Sequence, residues 1–107
     1  MENKQEYYRK KLKTFETFLN RWQNVSARIW EYRVSHTIIV IRLESSEVKG
    51  NLHIIGIEPI YYKGLFKWDN CKIKIEYDET FKIIDEVNGI ELQCSDIEIK
   101  ENCKPIF

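Results

Sequence analysis

Hydrophobic and polar positions follow two different periods along this chain. Between Asn3 and Gln23, the residues Tyr8, Leu12, Phe15, Leu19 and Trp22 recur at alternating spacings of four and three. That spacing lays them on one stripe of an α-helix, with Lys4, Arg9, Lys11, Lys13, Glu16 and Arg21 mostly off it. No Gly or Pro interrupts the segment, so the pattern predicts one amphipathic helix of about 30 Å. Its stripe is strongly aromatic and needs a surface to dock on. Asn24-Val25-Ser26 marks the exit.

From Ala27 the period falls to two. Trp30, Tyr32 and Val34 alternate with Glu31 and Arg33, and Ile39, Ile41 and Leu43 alternate with Val40, Arg42 and Glu44. The first set occupies even positions and the second odd ones. One straight strand cannot exchange faces, so a bulge or break is predicted near Ser35-His36. Glu44 to Gly50 reads as a polar turn. Leu52 to Glu58 is apolar on both faces and reads as a central strand, with Pro59 ending its pairing or marking an edge. Ile60 to Trp68 sets six apolar or aromatic residues around Gly64; it is expected to form a hairpin or a wide connection over one end of the sheet.

The last third carries the clearest pattern. Cys71, Ile73, Ile75 and Tyr77 alternate with Lys72, Lys74 and Glu76; Phe81 to Val87 follows, then Asn88-Gly89, then a last strand from Ile90 to Lys100. Asn-Gly is a strong signal for a two-residue hairpin turn. It sets Val87 against Ile90, Asp85 against Leu92 and Ile83 against Cys94. Upstream, a two-residue loop would oppose Ile75 to Lys82. A loop of Asp78, Glu79 and Thr80 instead sets Tyr77 against Phe81, Ile75 against Ile83, Glu76 against Lys82 and Lys72 against Glu86. Beyond Cys94 the apolar positions shift to Ile97 and Ile99, so a second bulge is predicted near Ser95-Asp96. The tail from Glu101, with Pro105, is expected to cross an edge or fray. A sheet with one apolar face needs a cover, and the helix is the only one available. The fold class is therefore α+β, one N-terminal amphipathic helix packed on a strongly bent antiparallel meander of about five to six strands. The 107 residues make one domain, 1–107.

Composition narrows the function classes. Apolar residues make up 43%, enough for a core, and 17 Lys+Arg balance 17 Asp+Glu. No overall charge points to nucleic acid or membrane. The charge is uneven, at +4 up to Arg33 and −4 after it, which favours attraction within the fold or across a dimer. No secretory signal is read at the N-terminus. The longest apolar run, Ile38 to Ile41, is too short to span a bilayer. Three cysteines, an odd number, fit a cytoplasmic protein. Abundant Ile, Lys, Asn and Glu with a single Ala suit an AT-rich bacterial genome.

Candidate chemistry is sparse. The register places Asp85 on the apolar face. A buried carboxylate without partners is strongly disfavoured, and catalytic acids and bases use such surroundings; the structural alternative is a carboxylate satisfied by a helix side chain such as Trp22 or Arg21, or by backbone. His36 and His53 are the only histidines. They show no metal-ligand spacing with Cys71, Cys94 or Cys103, so neither metal nor cofactor is expected. Cys71 and Cys94 read as small apolar fillers two rows apart, too far for a disulfide. The best binding candidates are Tyr61, Tyr62, Phe66 and Trp68, whose alternative is a core lid. Nine acids between Ile75 and Glu101 face only Lys82 and Lys100, an edge that suits a basic partner or guards against aggregation.

The leading expectation is a non-catalytic binding or interaction domain with a protein partner, or a homodimer. One alternative is a small enzyme or small-molecule cup using Asp85 with His36 or His53. Another is RNA binding through the basic helix, although nucleic acid is the weaker expectation.

Overall fold

Both periods are realised as one helix against one curled antiparallel sheet. The computed structural model describes residues 4–35, 37–47 and 50–101. The elements in order are α1 (Lys4–Asn20), β1 (Ser26–Arg33), β2 (Ile38–Glu44), β3 (Asn51–Lys63), β4 (Lys67–Trp68), β5 (Lys74–Asp78), β6 (Thr80–Asp85) and β7 (Ile90–Glu101). All seven strands join in the order β4-β1-β2-β3-β7-β6-β5. The strand beyond the expected six is β4, two residues at the end of the aromatic segment.

That order explains the curl. β4 follows β3 in the chain but pairs with β1, at Ala27 with Trp68 and Arg28 with Lys67. The next residues run from this edge to the opposite edge strand, β5. Backbone bonds from Asn24 N–H to the Cys71 carbonyl (2.8 Å) and from Cys71 N–H to the Val25 carbonyl (3.0 Å) tie this link to the start of β1. The two edges are thereby drawn toward each other around a common interior.

Helix α1 closes that interior. Phe15, Leu19 and Trp22 are buried, and Tyr8 and Leu12 pack partly buried beside them. Tyr8 lies on Tyr77 at 4.4 Å and against the edge of Phe81 at 5.3 Å. Each fully buried large side chain contributes about 1.5–3 kcal/mol. The ion pairs Lys11–Asp96 (2.6 Å) and Arg21–Glu101 (3.1 Å) are partly solvated and contribute about 1 kcal/mol or less each. Packing therefore holds the helix and the ion pairs orient it. The opposite charges of the two halves do meet here, within the fold. The helix stops at Asn20, short of Gln23, because Arg21 and Trp22 turn more tightly onto the carbonyls of Phe18 and Leu19. Trp22 keeps its place on the stripe.

The break between the even and odd sets is a hairpin turn, where Thr37 N–H donates to the Val34 carbonyl at 3.2 Å; His36 lies outside the described residues. A bulge does occur, but on β1 between Ile29 and Glu31. Strand β3 is the middle of the seven, as its two apolar faces required. Pro59 does not end it. Pro59 pairs with Cys94, and the register shifts just after it, before Tyr61. Its missing N–H is tolerated at this irregularity, where Glu58 has φ of 52° and donates its own N–H to the Thr37 carbonyl. On β7, burial changes parity from Ile90, Leu92 and Cys94 to Ile97, but the bulge expected at Ser95-Asp96 is not there: Ile57 pairs with Asp96 and Pro59 with Cys94, and the register shifts on β3 between Pro59 and Tyr61 instead.

The β5–β6 register matches the sequence reading, with Ile75 opposite Ile83, Glu76 opposite Lys82 and Tyr77 opposite Phe81. The β6–β7 register does not. Asp85 pairs with Ile90, Ile83 with Leu92 and Phe81 with Cys94. The turn is Glu86 to Gly89, four residues in place of two, because the Asp85 carboxylate accepts from both Asn88 N–H and Asn88 Nδ2. The displacement is two residues, so every side chain keeps its face. Lys72 is outside any strand, and Glu86 takes Lys74 instead, at 2.8 Å.

Candidate binding groove

Helix α1 does not roof the whole inner face. At the end nearest the β1–β2 turn, an open cavity of about 280 Å³ is lined by Ile29 and Tyr32 of β1, Ile39 of β2, Pro59, Ile60, Tyr61 and Tyr62 of β3, and Phe66 from the crossover to β4. The backbone around it is pinned. The Phe66 carbonyl accepts from Ile29 N–H at 2.7 Å. The Tyr62 hydroxyl donates to the Leu65 carbonyl, and burial pushes that phenol's pKa up. Gly64 turns the crossover with φ of 143° close against Ile90, where a Cβ would sit 2.4 Å from Ile90 Cδ1.

The side chains on this rigid frame remain in solvent. Phe66 is 76% exposed and Tyr32 61%, with Ile60, Tyr61 and Leu65 also exposed. Isolated exposed apolar side chains are ordinary; here several surround one concavity. Three of the four sequence candidates, Tyr61, Tyr62 and Phe66, come together here. Trp68 does not. It is buried on β4 beside Ala27 of β1, and its indole N–H donates to Asp85 at 3.0 Å.

Asp85 is wholly buried and fully engaged. Oδ2 accepts from Trp68 Nε1, from Lys72 N–H at 2.8 Å and from Asn88 Nδ2 at 2.8 Å, and Oδ1 accepts from Asn88 N–H at 3.1 Å. The partners are Trp68, Asn88 and backbone, not Trp22 or Arg21. Trp22 donates to Glu101 at 2.8 Å. His53 sits on the opposite face of β3, half-buried, 3.2 Å from Arg42 Nη1 and with its ring 6.2 Å from that of Trp30. Burial and then the Arg42 guanidinium push its pKa down. Asp85 and His53 share no hydrogen-bond partner, and His36 and Cys103 are outside the described residues.

Cys71 and Cys94 are buried and unpaired; burial raises both thiols, Cys94 to about 12. Among the described residues no three His, Cys, Asp or Glu side chains gather as a metal site, and no helix is long and apolar enough to cross a membrane. Ile29, Tyr32 and Ile39 are groove residues that the sequence reading did not single out as binding candidates. The signal was present in the break between the two alternating sets: the hairpin closed by Val34 and Thr37 pairs Tyr32 with Ile39. No protein-family model, curated protein or solved structure matches the chain.

Proposed function

We propose that the chain is a non-catalytic interaction module that receives an extended, aromatic-bearing segment of a partner protein in the Tyr61–Phe66 groove. The observation that carries this reading is the exposure of Tyr32 and Phe66 on a backbone fixed by hydrogen bonds. The cavity is at the small end of ligand sites, room for one or two side chains rather than an extended cofactor. Beside it, β4 covers only Ala27 and Arg28 of β1, and Ile29 is held by Phe66. Among the described residues no strand lies beside the rest of that β1 edge, which suits main-chain pairing by an added strand. Two buried, unpaired thiols suit a reducing, cytoplasmic setting.

The test is a random-peptide display selection run in parallel on the wild type and on the Tyr61→Asp/Phe66→Asp double variant. Both residues are exposed, so the variant should fold. The expected result is enrichment of peptides with an aromatic or branched apolar anchor on the wild type only. Equal enrichment on both proteins overturns the groove. A concentration-dependent dimer abolished by the same double variant identifies a second copy of the chain as the occupant.

A further inference from the structure

The outer face of the sheet carries a feature that the chain order conceals. Lys67 of β4 pairs with Arg28 of β1, Arg28 with Arg42 of β2, Arg42 with His53 of β3, and His53 with Lys100 of β7. Directly paired residues share a face. Their chain neighbours Trp68, Ala27, Ile41, Leu43, Leu52 and Ile54 are in the core, so this row faces outward. Five basic side chains cross five adjacent strands in one line, about 19 Å at ordinary strand spacing. Helix α1 lies on the other side of the sheet.

Like charges directly opposite each other destabilise a sheet, and Arg28 faces both Lys67 and Arg42. One carboxylate, Glu44, pairs with Arg28 and with Arg42, the latter at 3.2 Å. In the next row Glu31 is taken by Arg33 at 2.5 Å. Above the row stands Trp30, the bulged residue of β1, with the Arg42 guanidinium 4.3 Å and that of Arg28 5.8 Å from its ring centre. Trp30 is 46% exposed, whereas Trp22 and Trp68 are 3% and 4%.

We propose that this face binds single-stranded nucleic acid, with phosphates on Lys67, Arg28 and Lys100 and a base stacked on the face of Trp30 away from Arg42, which is itself buried beneath the indole. Cations beside an accessible flat aromatic ring form the standard single-strand platform. An acidic peptide would use the cations and has no need of the indole. Among the described residues no helix or ribbon projects from this face to enter a duplex groove. The site is separate from the groove and from the exposed basic face of α1.

The experiment is fluorescence anisotropy of a labelled oligouridylate of about 12 nucleotides, titrated with the protein from about 25 mM salt upward. Quenching of intrinsic fluorescence is read in parallel; Trp30 is the exposed tryptophan that reports it. Binding should weaken steeply with salt. Lys67→Ala and Lys100→Ala should each lower the slope of log K against log salt by about 0.7. Trp30→Ala should abolish quenching and weaken binding about tenfold or more. Lys13→Ala, on the exposed side of α1, should change nothing. The proposal is overturned by no anisotropy change at the lowest salt, by unaltered binding in the Lys67→Ala/Lys100→Ala double variant, or by polyglutamate competing as well as the oligonucleotide with Trp30→Ala harmless.

Discussion

Asp85 offers the sharpest test of the fold, because it is a fully buried carboxylate whose acceptance of four hydrogen bonds is visible. Asp85→Ala strands Trp68 Nε1 and Lys72 N–H away from water. A buried donor without an acceptor costs about 1–3 kcal/mol. The Asn88 groups are half-exposed and recover water bonds, so they add little. We expect Asp85→Ala to destabilise by about 4 kcal/mol, a large part of the roughly 5–15 kcal/mol available to a domain. Asp85→Asn keeps the shape. Its carbonyl can serve the three donors at Oδ2, but its NH2 then faces Asn88 N–H, a loss of about 2 kcal/mol. Trp68→Phe removes one donor, leaves the ring packing and should lose about 1 kcal/mol. Urea unfolding followed by far-ultraviolet circular dichroism ranks the three variants. A double-mutant cycle of Asp85→Asn with Trp68→Phe should give a coupling of about 1 kcal/mol. Should Asp85→Ala and Asp85→Asn unfold at the wild-type midpoint, or above it as removal of a strained catalytic acid can do, the structural role assigned to Asp85 fails.

Three further outcomes follow from local geometry. Gly64→Ala should lose about 2 kcal/mol or more in the same assay, because φ of 143° is strained for any side chain and the new Cβ meets Ile90, including its Cα at 3.2 Å; a loss below about 0.5 kcal/mol contradicts that contact. His53 holds its proton less tightly in the folded state, from burial and then from Arg42, so its contribution is full above the ordinary value of 6.5 and is lost as pH falls through the folded value. His53→Gln should flatten that part of the acid limb in a urea series. The Cys94 thiol is favoured neutral in the fold, so its contribution is full below 9.0 and is lost as pH rises toward about 12. Cys94→Ala should shallow that alkaline limb, and the native thiol should resist alkylation until the chain unfolds.

What the sequence disclosed followed from parity and period, and what it hid depended on which strands become neighbours. The stripe Tyr8 to Trp22 needed only a helical period, and the Ile75–Ile83 pairing needed only charge matching across a short loop. The β6–β7 register failed because Asn88-Gly89 was read as a backbone turn signal, whereas the Asp85 side chain captures Asn88 and lengthens the turn. Pro59 was read by its missing N–H alone, without the adjacent irregularity that accommodates it. The groove was half legible. Tyr61, Tyr62 and Phe66 stood out by composition, but Trp68 shares that composition and is buried, since inward or outward direction in an irregular segment has no period to reveal it. The basic row was illegible in chain order, because its members come from five strands.

That row also carries an energetic consequence that can be measured without any ligand. The ladders that bury Ile41, Leu43, Leu52 and Ile54 necessarily align Arg28, Arg42 and His53 on the other face, since a one-residue slip would turn the core outward. The fold therefore fixes the positions of these charges, and the residue types there are what selection can alter. Lys67 is exposed and opposes Arg28. Lys67→Glu would replace a like-charge cross-strand pair by an opposite-charge one, worth about 0.2–1 kcal/mol. A domain of this size should respond with a rise of a few degrees in Tm, larger at low salt than at high salt. Oligonucleotide binding should weaken in the same variant. A surface kept at some cost in stability gives this opposite movement of stability and binding, and a Tm unchanged or lowered by Lys67→Glu at low salt would remove the electrostatic strain on which that reasoning stands.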